Sequence, residues 1–162
     1  MKILYNDARG KDLNTLLNDP KFVKKLENTR AFYIIKPKSE DILKFGISGN
    51  NDGGGIGRLQ QYRLTYGISD STNDCLGVKL MFLGVTKYNS DVEAKNSEVH
   101  KREQHVIKYI KENNLIARGR ERTVANYRNL VEIVKSYKTK DEPTKIRKSQ
   151  RETKGQTGKY KD

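Results

Sequence analysis

Apolar and polar residues alternate in two neighbouring stretches, RAFYIIKP and DILKFGIS, which predict two strands joined by a short turn around Pro37–Glu40. A third strand is predicted in VKLMFLGVTKY, residues 78–88. Ahead of the hairpin, DLNTLLNDPKFVKKLENT reads as two helical pieces, with Asp19 as N-cap and Pro20 in the first turn of the second. RLQQYRLTY predicts a helix that buries Leu59, Tyr62 and Tyr66. SDVEAKNSEVHKREQHVIKYIKEN predicts a longer helix opened by a capping box, Ser90 to Glu93. RTVANYRNLVEIVKSY predicts a last helix with Val124, Tyr127, Val131 and Val134 on one side. The expected architecture is α+β: a small antiparallel three-stranded sheet flanked by helices. Residues 1–29 are expected as an N-terminal helical extension, 30–137 as the main domain and 138–162 as a basic tail.

A four-residue loop at Pro37–Glu40 would pair residue i of the first strand with residue 77 − i of the second. Phe32 then faces Phe45, Ile34 faces Leu43, and the opposite face sets Tyr33 across from Lys44 and Ile35 across from Ile42. A phenol and an ammonium sharing one small area fit a reactive site. They fit equally a packed tyrosine with a lysine lying over it. Arg58 precedes Tyr62 by four residues and projects from the first turn of its helix toward the buried side, with Arg63 as the rival.

Glu103 is the most demanding residue of the set. Val99, Val106, Ile107 and Ile110 form the apolar stripe of the long helix, and Glu103 stands in the middle of it. A carboxylate there requires either a buried cationic side chain or a metal ion; Mg²⁺ is the hard cation that suits one or two carboxylates plus water and phosphate oxygens. Glu98 lies off the stripe, on the surface. His100 and His105 are five residues apart, about 140° round a helix, and cannot share a metal as an i, i+4 pair would.

Between the second strand and the Arg58 helix runs SGNNDGGGIG. No Gly-Lys-Ser/Thr follows its glycines, and they lack a dinucleotide-binding spacing, so a nucleotide-cradling loop is not indicated.

Charge changes the picture more than composition does. Thirty-three basic against 20 acidic residues give a net charge of +13, which favours polyanions, nucleic acid first and anionic membrane second. From Lys135 to Asp162 there are eight lysines and two arginines against four acids. That segment has too few apolar groups to offset chain ordering and reads as a disordered nucleic-acid arm, with Lys138, Lys140, Lys145, Arg147, Lys148 and Arg151 as contacts beside Arg63. No stretch has the roughly 20 apolar residues of a membrane helix, and no signal peptide is evident. The single Cys75 excludes an intramolecular disulfide and reads as inert. A soluble, intracellular protein is expected, virion-associated if of viral origin.

FYII, then KFGIS, then RLQQY, with a helical glutamate 45 residues after Arg58, together resemble the GIY-YIG nuclease superfamily over about residues 31–134. The similarity is to the divergent branch that includes some small restriction endonucleases and phage- and virus-associated nuclease domains. There a lysine often stands near the lost second tyrosine. Tyr33 matches the first-motif tyrosine, Lys44 and Gly46 the second motif, Arg58 the arginine and Glu103 the metal-binding glutamate. Ala31-Phe32 stands in place of Gly-Ile and Lys44-Phe45 in place of Tyr-Ile. Asn126 or Asn129 corresponds to the family's late asparagine. The resemblance implies a metal-dependent endonuclease hydrolysing DNA, duplex first and RNA as the alternative. Tyr33 would be the general base, its pKa lowered by Lys44 or by a metal-bound water network; Arg58 would stabilise phosphate, and Glu103 would hold Mg²⁺ or Mn²⁺. The competing expectations are a DNA-binding or packaging protein with a decayed site on the same fold, and a basic RNA-binding protein.

Overall fold

The structure, a computed structural model, describes residues 1–38, 40–49, 54–65, 77–87 and 97–138. Strand β1 (Lys2–Asp12) leads into helices α1 (Leu13–Leu17) and α2 (Pro20–Lys25). The hairpin follows as β2 (Thr29–Pro37) and β3 (Leu43–Ser48), and then a 3₁₀ turn (Gly54–Ile56) opens α3 (Gly57–Thr65). The remainder is β4 (Val78–Lys87), α4 (Glu98–Glu112), β5 (Arg122–Thr123) and α5 (Tyr127–Ser136).

The expected α+β class holds, but the sheet has five strands rather than three, all antiparallel, in the order β1-β4-β2-β3-β5. The N-terminal segment expected to be helical opens with β1, which pairs along β4. Its sequence KILYNDARGKD does not alternate, because β1 is an edge strand whose ladder slips between Ile3 and Tyr5 and again between Asn6 and Lys11. The two helical pieces after it do form. Asp19 caps α2 by accepting from the Lys21 N–H at 3.0 Å, with Pro20 in the first turn.

Each face of the sheet carries its own core. Tyr33, Ile35, Leu80 and Leu83 pack with Leu13, Leu16, Leu26 and Leu59 on one side. Phe32, Ile34, Phe45 and Phe82 pack with Val99, Val106, Ile110, Leu130 and Val134 on the other. Helix α4 presents the expected stripe, and Ser97 caps it by accepting from the His100 N–H. The capping box at Ser90 and Glu93 lies outside the described residues, as do Tyr66, Cys75, Lys140, Lys145, Arg147, Lys148 and Arg151. The last helix is shorter than expected. Arg122–Thr123 adds a strand to β3, Val124 is 58% exposed, and Asn126 caps α5 by accepting from the Asn129 N–H. No described helix is long and apolar enough to cross a membrane.

Candidate active site

The hairpin register is 79 − i rather than 77 − i. Tyr33 faces Gly46, Ile35 faces Lys44 and Phe32 faces Ile47. The connector runs through residues 38–42, one residue longer than expected, and Ile42 leaves the ladder. Because side chains alternate with period two, a two-residue shift keeps every side chain on its expected face. Tyr33 and Lys44 therefore still share a face, diagonally rather than directly opposed.

That shift gives Gly46 a function of its own. The Tyr33 ring lies over it, and a β-carbon at position 46 would come within 2.5 Å of the Tyr33 hydroxyl and 2.8 Å of the ring. Gly46→Ala must displace the ring, so we expect a loss of roughly 1–3 kcal/mol in urea unfolding, the usual cost of overpacking. An unchanged unfolding midpoint would show that the ring moves freely.

Tyr33 is 2% exposed, and its hydroxyl is 2.8 Å from that of Tyr62, four residues beyond Arg58 on α3. The two rings meet edge to face with centroids 5.6 Å apart. Lys44 is also buried; its Nζ lies 5.8 Å from the Tyr62 ring centre and 3.2 Å from Oε2 of Glu121. Arg58 is exposed on the first turn of α3, where its backbone N–H donates to the Ser48 hydroxyl at 2.9 Å and fixes the helix to the end of β3. Its guanidinium donates to Gln61 and acts electrostatically on Tyr33. Arg63 turns away and donates to Asn18 at the end of α1. The 3₁₀ turn ahead of α3 is tied down as well: the Gly55 N–H donates to the Leu26 carbonyl, and Gly55 lies against Thr29 and Ala31.

Glu103 reaches this group from the other core. It is 7% exposed and makes no hydrogen bond or ion pair with any described residue. Burial, and then the charge of Glu121, push its carboxyl up to about 7, against weaker pulls from Arg120 and Lys44. The buried ion pair weighed from sequence is thus not formed within the described residues. The buried arginine of α4 is Arg102, and it serves Glu98 and the carbonyls of Val134 and Tyr137 instead.

The Tyr33 phenol is shifted in the direction opposite to the one expected, and Lys44 is not among the causes. Burial first, then the charge and hydrogen bond of Tyr62 and the charge of Glu121, raise the phenol far above its ordinary value; only Arg58 pulls the other way. Lys44 directs its ammonium to Glu121, so Tyr33 is a neutral phenol.

Two residues of this neighbourhood were not singled out in the sequence as site residues. Tyr62 was read as core. Glu121 sits among arginines in RGRERT, without periodicity, and meets Lys44 across 77 positions of chain. Asn126 spends its side chain on the α5 cap, and Asn129 is exposed. His105 packs against Tyr137, and burial lowers its pKa. Lys138 is exposed beyond the end of α5.

The donors suit a hard cation. Glu121 is close enough to disfavour the charge of Glu103, and a positive ion held between them would relieve that repulsion. Among the described residues there is no group of three or more histidine, cysteine or acidic side chains, so water and phosphate oxygens would complete the shell. No protein-family model matches the chain, and neither the curated proteins nor the solved structures contain a match.

Proposed function

We propose that the chain is a metal-dependent endonuclease of the GIY-YIG type, hydrolysing phosphodiester bonds of duplex DNA. The observation that carries this reading is the ion pair of Glu121 with Lys44 from β3, beside the electrostatic influence of Glu121 on Tyr33 of β2 and on Glu103 of α4 and that of Arg58 from α3 on Tyr33. Four separate elements supply these groups, and Glu103 costs stability unless a cation joins it. The net charge of +13 suits the substrate.

In this reading Glu103 and Glu121 would hold Mg²⁺ or Mn²⁺, which when bound would supply charge neutralisation at the leaving oxygen. Arg58, exposed and near Tyr33, binds a non-bridging phosphate oxygen. Tyr33 orients the attacking water and takes its proton as its own hydroxyl proton passes to the Tyr62 oxygen, and Tyr62, which is less buried, releases its proton to bulk water. Lys44 holds Glu121 in place rather than acidifying the phenol. The raised pKa of Tyr33 is the observation that favours the second reading, a DNA-binding protein on the same fold without cleavage.

A supercoiled-plasmid nicking assay with and without Mg²⁺ separates the two. Metal must displace the proton from a carboxyl raised to about 7, so nicking at limiting Mg²⁺ should rise as pH passes upward through 7. Higher Mg²⁺ should move that rise to lower pH. Nicking that ignores Mg²⁺ would overturn the metal-dependent mechanism, and no nicking at any pH would leave the binding protein as the correct reading.

A further inference from the structure

The slip in the β1–β4 ladder between Asn6 and Lys11 lifts β1 away from β4 and leaves a cleft of about 440 Å³ beneath it. Gly10, at φ +70, makes the turn back, and a β-carbon there would meet the Lys79 β-carbon at 3.0 Å and Met81 at 3.1 Å. The cleft is lined by Ala8, Arg9, Lys36, Lys38, Lys79 and Met81: four cations and no carboxylate. Lys36 and Lys79 are direct partners across β2 and β4, an opposition of like charges that weakens a sheet unless an anion joins it. Lys36 donates only to a neutral group, the Glu40 carbonyl at 2.9 Å, and the side chains of Arg9 and Lys79 have no partner among the described residues. Acids border the cleft without lining it: Asp7 accepts from the Arg9 backbone N–H at 2.9 Å, and Asp12, opposite Lys79 across β1 and β4, caps α1 at the Asn14 N–H and pairs with Lys38 at 3.5 Å.

We infer that this cleft binds the phosphate backbone of duplex DNA, as a surface separate from the candidate active site; the choice of ligand rests on the nucleic-acid reading above. Lys36 alternates with Ile35, and Met81 belongs to the Phe32–Ile34 core, so the cleft opens on the face of the sheet opposite Tyr33. Its contacts are to phosphate and carry no base sequence. They hold a second stretch of duplex while another lies at the hydroxyl pair.

The experiment is a salt titration of binding to a short duplex oligonucleotide, without divalent metal, by the full chain. The test variant is Lys36→Gln with Lys79→Gln; the control is Lys21→Gln with Lys24→Gln, two exposed lysines of α2. Each phosphate contact contributes about −0.9 to the slope of log K against log salt, so the test variant should become shallower by about 2 while the control stays close to wild type. Because the substitution removes a repulsion, its melting temperature should equal or exceed that of wild type. A test slope equal to wild type, or equal losses in both variants, would overturn the cleft as a site. No binding by wild type at low salt would overturn the nucleic-acid reading as well. Binding with the expected slopes but no nicking would leave the cleft standing and remove only the cleavage.

Discussion

Tyr33→Phe should slow DNA nicking by at least ~10²-fold, the low end of what a positioned acid–base group contributes, with affinity for the duplex unchanged. The substitution removes one oxygen from a side chain that stays packed over Gly46. It also leaves the Tyr62 hydroxyl without its 2.8 Å partner, at a cost of about 1 kcal/mol in unfolding free energy. Tyr62→Phe breaks the same pair from the more accessible side, and a loss of similar size is expected. The double variant should lose little more than either single one, because both act through one proton path. Quenched single-turnover nicking of a saturated complex measures these rates free of binding. A Tyr33→Phe rate equal to wild type would reduce the pair to packing.

Glu103→Gln should abolish metal-dependent nicking and yet make the metal-free protein more stable. The carboxyl is raised from 4.5 to about 7 by burial and Glu121, so the folded chain holds this proton more tightly than the unfolded chain. Native stability therefore falls as pH rises between about 4.5 and 7, by at most about 3 kcal/mol from this group, and the penalty persists above that window. A neutral amide of the same shape escapes it. At pH 8 without metal the variant should melt above wild type, and at pH 4.5 the difference should vanish. Mg²⁺ should raise the wild-type melting temperature and leave the variant's unmoved. A variant that melts far below wild type at every pH would reveal a buried cation left unpaired.

The parts of the site that follow local periodicity were legible in the sequence. Strand alternation put Tyr33 and Lys44 on one face, a placement that survives a register error because two residues is the period of a strand, and helical spacing put Glu103 in the apolar stripe of α4. What was not legible depends on pairing between distant segments. Glu121 joins the site only because β5, two residues long, closes on Lys44 and Leu43 from far along the chain. β1 hides for a similar reason, since an edge strand with two slips needs no alternating pattern. Tyr62 illustrates a different limit. Its spacing with Leu59 marks an inward side, but not that its hydroxyl ends against another hydroxyl. The effect of Lys44 on Tyr33 was misjudged because a lysine's influence depends on which carboxylate claims it.

The slips in β1 bear on how the chain behaves when crowded. An eleven-residue edge strand lying flat would offer a continuous row of amide and carbonyl groups to a strand from another molecule, the first step toward aggregation. Here that row is broken after Ile3 and again after Asn6, and Lys2, Arg9 and Lys11 stand along it as exposed charges. An incoming strand would have to match both offsets while approaching positive side chains. At the opposite edge β5 is only two residues long. The irregularity that erased β1 from the sequence pattern is thus also a guard against edge-to-edge association, at both the margin of the sheet and the high local concentrations that a shared polyanion would impose.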